Sequence, residues 1–418
     1  MPLWVHGPGS LFVATYYPAI CIRKGRSLLS PLRRTLKYRL YRSKHNRVLV
    51  GCIEYASEIW NHFVALCRRY YRLYGTYPGY YKLKRHLTKL KRQRRFQHWN
   101  EVGSQAAQMV IKRLDLSYQA YFDYKTGKRS RVGLPSFKKR TKYPSFTLTQ
   151  AGWKYLGANR MRIGSRTFKF VLCREVTGEI KTVTIKRDRC GDLWLCLCVV
   201  ESAAPPTPHE EVMHPVGMDF GLKTFLTLSD GSEIESPLFF KEGQVEIARL
   251  NRALSRKREG SRHWRAARGR LARAHRRIAW KRRDWFFKTA HDLCDCYDFI
   301  GIEDLCLKGM QRLWGSSVND LAFGEFVEVL RYVCQKRGVV LGQVERSYPS
   351  SKRCSQCGAV NEKLTLSDRH WRCACGVVHD RDANASINIR DRAWSLSQGT
   401  VRPGVARRVP LEGRIPLF

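Results

Sequence analysis

The sequence predicts a multidomain α+β protein, and three observations carry that prediction. In the N-terminal half, a helix-patterned stretch lies between two stretches of period-two alternation. A Pro-rich segment, Ala203-Ala204-Pro205-Pro206-Thr207-Pro208, then marks a linker. Beyond it, apolar strands alternate with helices, and two closely spaced cysteine pairs sit near the end. The chain has 418 residues, room for about two to four domains. Its 43% of hydrophobic residues supplies their cores.

The elements follow in order. Residues 1–33 read as a poorly structured N-terminal extension. Residues 10–21 are mildly apolar, but Pro18 interrupts them and charge follows (Arg23, Lys24, Arg26), the reverse of an export signal. Residues 34–50 open the folded part, where Leu36, Tyr38 and Leu40 alternate with basic residues as in a strand. Residues 51–130 are helical, with Ile53, Ala56, Ile59, Trp60, Phe63 and Cys67, then Ala106, Ala107, Val110 and Leu114, at three- and four-residue steps. Between these helices, residues 82–95 form a basic run that repels itself unless it meets an anion. Residues 131–213 read as β, and basic-apolar alternation in 167–172 and 180–186 predicts a barrel with a basic outer face. Cys196 and Cys198 lie in the apolar run 193–200 and are expected as buried strand thiols.

After the linker, residues 216–221 and 225–228 predict strands, with a hairpin turn at Asp230-Gly231. Residues 244–291 are helical and densely basic, broken into a hairpin near Glu259-Gly260-Ser261. So many arginines with few acidic partners point to backbone phosphates. A strand over 298–305, a helix over about 319–337 and a strand over 339–344 follow. Residues 353–377 hold the cysteines, 378–394 begin a helix, and the Arg- and Pro-rich tail 395–418 reads as disordered.

Charge narrows the function. A formal net charge of +42 calls for plentiful counterions or a polyanionic partner, usually nucleic acid. A ribosomal protein would share the charge, but not this length or the acidic motifs below. No apolar run approaches the ~20 residues of a membrane-spanning helix.

Cys354-x-x-Cys357 and Cys373-x-Cys375 stand fifteen residues apart, each pair followed by glycine, Gly358 and Gly376. Two such knuckles make a closed Cys₄ site for one structural Zn²⁺. The second pair is one residue shorter than the usual spacing. Three acids draw attention as well. Asp219 sits in an apolar strand between Gly217 and Gly221, Glu303 ends another strand, and Asp382 lies in His379-Asp380-Arg381-Asp382-Ala383-Asn384-Ala385. A lone strand aspartate is costly to bury unless it meets a cation or hydrogen bonds. Phosphodiester hydrolysis uses several carboxylates to hold two divalent ions. Spacing alone does not bring these acids together, and Asp219 and Glu303 as cap or turn residues remain an open alternative.

As an ensemble, Gly-Met-Asp219-Phe-Gly, Gly-Ile-Glu303-Asp-Leu, the cysteine ribbon and the Asp382 segment resemble the TnpB family of transposon-encoded proteins. They equally resemble its relatives, the miniature type V CRISPR effectors. The resemblance extends upstream to the start near residue 37 and to the segments 133–138 and 178–183, and so covers roughly 35–395. It implies a β-barrel wedge domain (34–50 and 131–213) with an inserted helical recognition domain (51–130). It further implies an RNase H-like (RuvC) nuclease domain (214–352 and 378–394) with an inserted zinc ribbon (353–377). Asp219, Glu303 and Asp382 match the family's catalytic triad, holding two Mg²⁺ ions, with Asp380 the weaker choice for the third acid. The implied partners are a guide RNA and target double-stranded DNA beside a short recognition motif, with no membrane. The implied setting is a monomer in a prokaryotic cytoplasm. Residues 1–33 have no counterpart in the family, and Ser386 stands where alanine is commoner. The sequence leaves open a CRISPR effector of the same build, a nuclease-dead RNA-guided repressor and a guide-free transposase.

Overall fold

The computed structural model describes residues 33–200, 211–221, 224–304, 321–365, 368–397 and 402–403. The chain divides into two compact units, 1–204 and 205–418. The division falls inside the Pro-rich segment. The expected extension, apart from Arg33, lies outside the described residues.

The first unit combines β strands with a helical insert. It begins with β1 (Arg33–Arg39), α1 (Asn46–Tyr74), α2 (Gly79–Arg92), a 3₁₀ segment (Arg94–Val102) and α3 (Ser104–Lys125). The α1 helix buries Ile53, Ala56, Ile59, Trp60, Phe63 and Cys67 on one face, the stripe its periodicity predicts. It starts at Asn46, so the expected helical boundary at 51 lies inside it. Gly75, with φ 65°, ends it, and its N–H donates to the Tyr71 carbonyl at 2.8 Å. The basic run falls on α2, which buries Leu83, Leu87 and Leu90 and leaves its cations on the remaining face.

The strands that follow are β2 (Ser145–Leu148), β3 (Trp153–Tyr155), β4 (Arg160–Ile163), β5 (Arg166–Lys169), β6 (Glu179–Arg187) and β7 (Leu193–Val200). One antiparallel sheet has the order β1-β7-β6-β2, and β3-β4-β5 form a meander. Leu40 pairs with Phe170, so the meander continues from the end of β1 in one curved path. Among the described residues no ladder joins β2 to β3, and the expected barrel stays open at that seam. In β7, Leu193, Leu195, Leu197 and Val199 are buried. Cys196 and Cys198 are half-buried, not the core thiols expected, because their positions in the period-two strand face away from that core.

The second unit contains β8 (Glu211–Val212), β9 (Pro215–Phe220), β10 (Thr224–Leu228), β11 (Glu233–Glu235), α4 (Phe239–Ser255) and α5 (Arg262–Cys296). Then come β12 (Phe299–Glu303), α6 (Phe323–Arg337), β13 (Val340–Val344), β14 (His370–Arg372), β15 (Val378–Asp380), α7 (Arg381–Ser397) and β16 (Arg402–Pro403). The basic region does break into a helical hairpin: Ser261 caps α5 by accepting from the Trp264 N–H at 3.1 Å. The α7 helix runs past the expected boundary at 394, and β16 pairs with β8. Residues 404–418 lie outside the described ones.

A five-stranded sheet organises this unit, in the order β11-β10-β9-β12-β13. The strands β9, β12 and β13 run parallel, while β10 and β11 are antiparallel. Val216, Met218, Ile300 and Ile302 face a core with Phe286 and Leu293 of α5 and Phe326 and Leu330 of α6. The opposite face carries α7. There Gly217, Gly301 and Gly342 lie in register across β9, β12 and β13. A Cβ at Gly217 would sit 2.0 Å from the Ser386 carbonyl oxygen, and one at Gly301 would sit 3.0 Å from the Ala393 Cβ. The glycines therefore let the α7 backbone lie directly on the sheet. Ile389 and Ala393 fill the contact with Phe299 and Val344. No helix among the described residues is long and apolar enough to cross a membrane.

Gly217→Ala should destabilise the second unit by about 3 kcal/mol, because backbone opposes the new methyl group. Denaturant unfolding of the purified chain checks this, and Gly269→Ala, whose Cβ would make only an ordinary 3.5 Å contact with the Arg273 guanidinium, is the control.

Candidate active site and metal centre

The sheet face under α7 gathers the three acids. Asp219 follows Gly217 by two residues on β9, and Glu303 follows Gly301 by two on β12. The period-two pleat points both toward the α7 side. Parallel pairing of Ile302 with Met218 places Glu303 beside Asp219 at the carboxyl ends of their strands. Asp382 lies in the first turn of α7, which begins at Arg381. Burial first, then the carboxylates of Glu303 and Asp382, push the Asp219 carboxyl up to about 7, while Arg381 pulls against them. Burial also pushes the Glu303 carboxyl up, against the Ser350 hydroxyl, which donates to Glu303 Oε1 at 3.2 Å. Asp382 is held by Arg369 and by Arg381, whose Nη2 donates at 3.2 Å. Glu303 and Asp382 thus both lie within electrostatic reach of Asp219.

Asp380 has a different task. Its Oδ1 accepts from the backbone N–H of Asp382 at 3.0 Å and of Ala383 at 2.9 Å, capping α7. Ser386 is fully buried, and its hydroxyl donates to the Ala383 carbonyl at 2.7 Å, so the departure from alanine leaves no unpaired group.

The cysteines form the second centre. The ligand atoms of Cys354, Cys357, Cys373 and Cys375 all lie within 4.8 Å of one another. Gly358 and Gly376, with φ of 78° and 90°, close the two knuckles by donating to the carbonyls of Cys354 and Cys373, each at 2.9 Å. Convergence of four sulfur donors fits a tetrahedral Zn²⁺. Burial pushes the Cys354 thiol up, but the N–H groups of Cys357 and Gln356 and the His379 ring outweigh it and pull it down to about 6. A thiolate is the ligating form.

Two family models match the chain. Residues 323–389 match the Cas12f1-like TNB domain, and residues 197–313 match OrfB_IS605, described as a probable transposase. A candidate RNA-guided DNA endonuclease of Streptomyces pristinaespiralis is 30% identical over 375 residues, covering 87% of this chain and 90% of the relative. A TnpB-like protein of Acanthamoeba polyphaga mimivirus is 28% identical over 226 residues, 50% of this chain and 42% of the relative. The chain belongs to the TnpB family. Among solved structures, a Cas12f1-sgRNA-target DNA complex has a chain similar to this TnpB-family protein. The TM-score is 0.51 at 14% identity, over 86% of this chain and 99% of that one. The likeness extends to the mixed α/β multidomain fold.

Several residues around the sites of this TnpB protein carried no sequence signal sufficient to single them out. His379 Nε2 lies 3.0 Å from Cys354 Sγ, and its ring packs against Trp371. A histidine four residues beyond the second cysteine pair was the available hint. Ser350 and Arg369 carried none, because their partners are distant in sequence.

The purified chain should carry a single zinc ion. Cys354→Ser should lose it and lower the unfolding temperature of the ribbon. Elemental analysis together with thermal unfolding measures both effects.

Proposed function

We propose that this protein is an RNA-guided DNA endonuclease of the RNase H-like (RuvC) type. One observation carries the reading: α7 lies on the glycine row so that the turn bearing Asp382 meets the sheet face bearing Asp219 and Glu303. Glu303 and Asp382, both half-buried, lie within electrostatic reach of half-buried Asp219 in a chain of net charge +42. Burial first, and then repulsion by the other two, raises Asp219, and a hard divalent cation would relieve both. Asp219, Glu303 and Asp382 would hold two Mg²⁺ ions, which supply the activated water and the stabilised leaving oxygen of phosphodiester hydrolysis. Ser350 orients Glu303, Asp380 fixes the start of α7, and Arg369 and Arg381 hold Asp382.

The rest of the chain would serve recognition. Residues 34–50 and 131–213 act as the wedge and 51–130 as the recognition domain, reading a short motif beside the target. Residues 214–352 and 378–394 form the nuclease domain around the zinc ribbon of 353–377. The basic faces of α2 and of the α4–α5 hairpin fit the phosphates of a guide RNA and of target double-stranded DNA. Pairing with the guide then reads the sequence while the protein reads shape and the short motif. The relative from Streptomyces, named for this activity over nearly its whole length, supports the reading. The match of residues 323–389 to the Cas12f1-like domain favours a second reading, a type V CRISPR effector of the same build. Sequencing the RNA that co-purifies decides between a transposon-end guide and a CRISPR repeat guide.

Asp219→Ala should abolish cutting of DNA matched to that RNA while leaving RNA-dependent DNA binding intact. Undiminished cutting by the variant would falsify the active-site assignment. RNA binding by the parent should weaken steeply as salt rises, since each neutralised phosphate releases counterions. A filter-binding series in potassium chloride measures the slope, and a flat response rejects the electrostatic surface.

A further inference from the structure

The root of the cysteine ribbon is tied to the acid-bearing elements by two buried asparagines. Asn384 and Asn388 lie on α7 at 1% and 4% exposure, two and six residues beyond Asp382. Asn388 Nδ2 donates to the Ser350 carbonyl at 2.9 Å and to the Arg353 carbonyl at 2.6 Å. Asn384 Nδ2 donates to the same Arg353 carbonyl at 2.7 Å, and its Oδ1 accepts from the Ser355 N–H at 2.9 Å. Both N–H groups of Asn388 are thereby used, as are both lone pairs of the Arg353 carbonyl. The segment so clamped has Cys354 between its two anchored ends. Its first residue, Ser350, is 4% exposed and is the one whose hydroxyl donates to Glu303.

Resting on the nuclease reading above, we propose that Asn388, Asn384 and Ser350 are positioning residues that fix the Glu303 carboxylate relative to Asp382. Glu303 and Asp382 sit on different elements, β12 and α7. Packing of Ile389 and Ala393 sets the depth of α7 on the sheet, but apolar packing gives no directional hold on a carboxylate oxygen. The clamp supplies direction. The path from α7 through the Asn388 amide, the Ser350 backbone and the Ser350 hydroxyl to Glu303 Oε1 consists of directional hydrogen bonds joined by a single residue. The ribbon therefore does more than stabilise its own fold: its first knuckle grows out of the segment that aims Glu303. Hydrogen bonds that orient a metal-binding carboxylate typically change metal affinity or activity by ten- to hundred-fold when lost.

The test uses the full chain with the RNA that co-purifies, and double-stranded DNA matched to that RNA. Ser350→Ala removes only the hydroxyl, and Ser350→Thr restores it. Asn388→Asp keeps the shape but sets a carboxylate oxygen against two carbonyls. Ser350→Ala and Asn388→Asp should keep RNA-dependent DNA binding and zinc content. Both should need roughly ten-fold more Mg²⁺ for half-maximal cutting. They should also bind Mn²⁺ more weakly by electron paramagnetic resonance, read as the difference from the Asp219→Ala complex, and Ser350→Thr should recover the parent behaviour. Parent-like Mg²⁺ dependence and Mn²⁺ binding in Ser350→Ala, beside a dead Asp219→Ala, overturns this inference alone. Cutting by Asp219→Ala as fast as the parent overturns the nuclease site and this inference with it. Loss of zinc or of DNA binding in both Ser350→Ala and Asn388→Asp reduces the clamp to a folding role and also rejects the proposal.

Discussion

The close approach of α7 to the central sheet is the constraint on which the second unit depends. Helices normally ride on a layer of side chains above a sheet. Here three glycines in register, Gly217, Gly301 and Gly342, remove that layer under the helix. The backbone of Ser386 and the methyl of Ala393 take its place. The pleat that turns these glycines toward α7 also turns Asp219 and Glu303 toward it, two residues further along each strand. Packing and chemistry are thus fixed by the same alternation. A substitution that lifts the helix moves Asp382 away from the other two acids in the same motion.

That arrangement concentrates negative charge in an otherwise strongly basic chain. Burial and like charge both oppose ionisation of Asp219, and desolvation is the larger effect. The molecule answers with local devices. Arg369 and Arg381 grip Asp382, the Ser350 hydroxyl meets Glu303, and the amino end of α7 favours the acid in its first turn. Asp380, next to the site in sequence, is used up as the helix cap. Its role explains why two aspartates so close together are not interchangeable. The ribbon stands immediately before this helix, so its knuckles and the acids share one structural root at residues 350–355.

Much of this was legible in the sequence because it depended on local rules. Helical periodicity marked α1 and α3, the Pro-rich linker marked the division of the chain, and Glu259-Gly260-Ser261 marked the break between α4 and α5. The cysteine spacing with its following glycines described the knuckles well enough to predict their convergence. Boundaries were less legible. The α1 helix reaches back to Asn46 because residues 46–50 carry no helix breaker, and α7 runs on to Ser397. Cys196 and Cys198 looked buried because the run around them is uniformly apolar, yet only one face of β7 meets the core.

Primary structure supplies the residue types this protein has to work with: a polyanion-seeking charge, four thiols at knuckle spacing, and three acids in motifs like those of the TnpB family. Tertiary structure alone decided which of them meet. Asp219 and Glu303 became neighbours through parallel pairing of β9 with β12, and Asp382 joined them through the glycine row. Asp380 was turned to the backbone of α7 as its cap. Ser350, Asn384 and Asn388 had no visible role until the fold set them around Glu303 and Cys354. The reason is physical: spacing along a strand or helix fixes which face a side chain takes, whereas distance between elements far apart in sequence is fixed only when their faces pack.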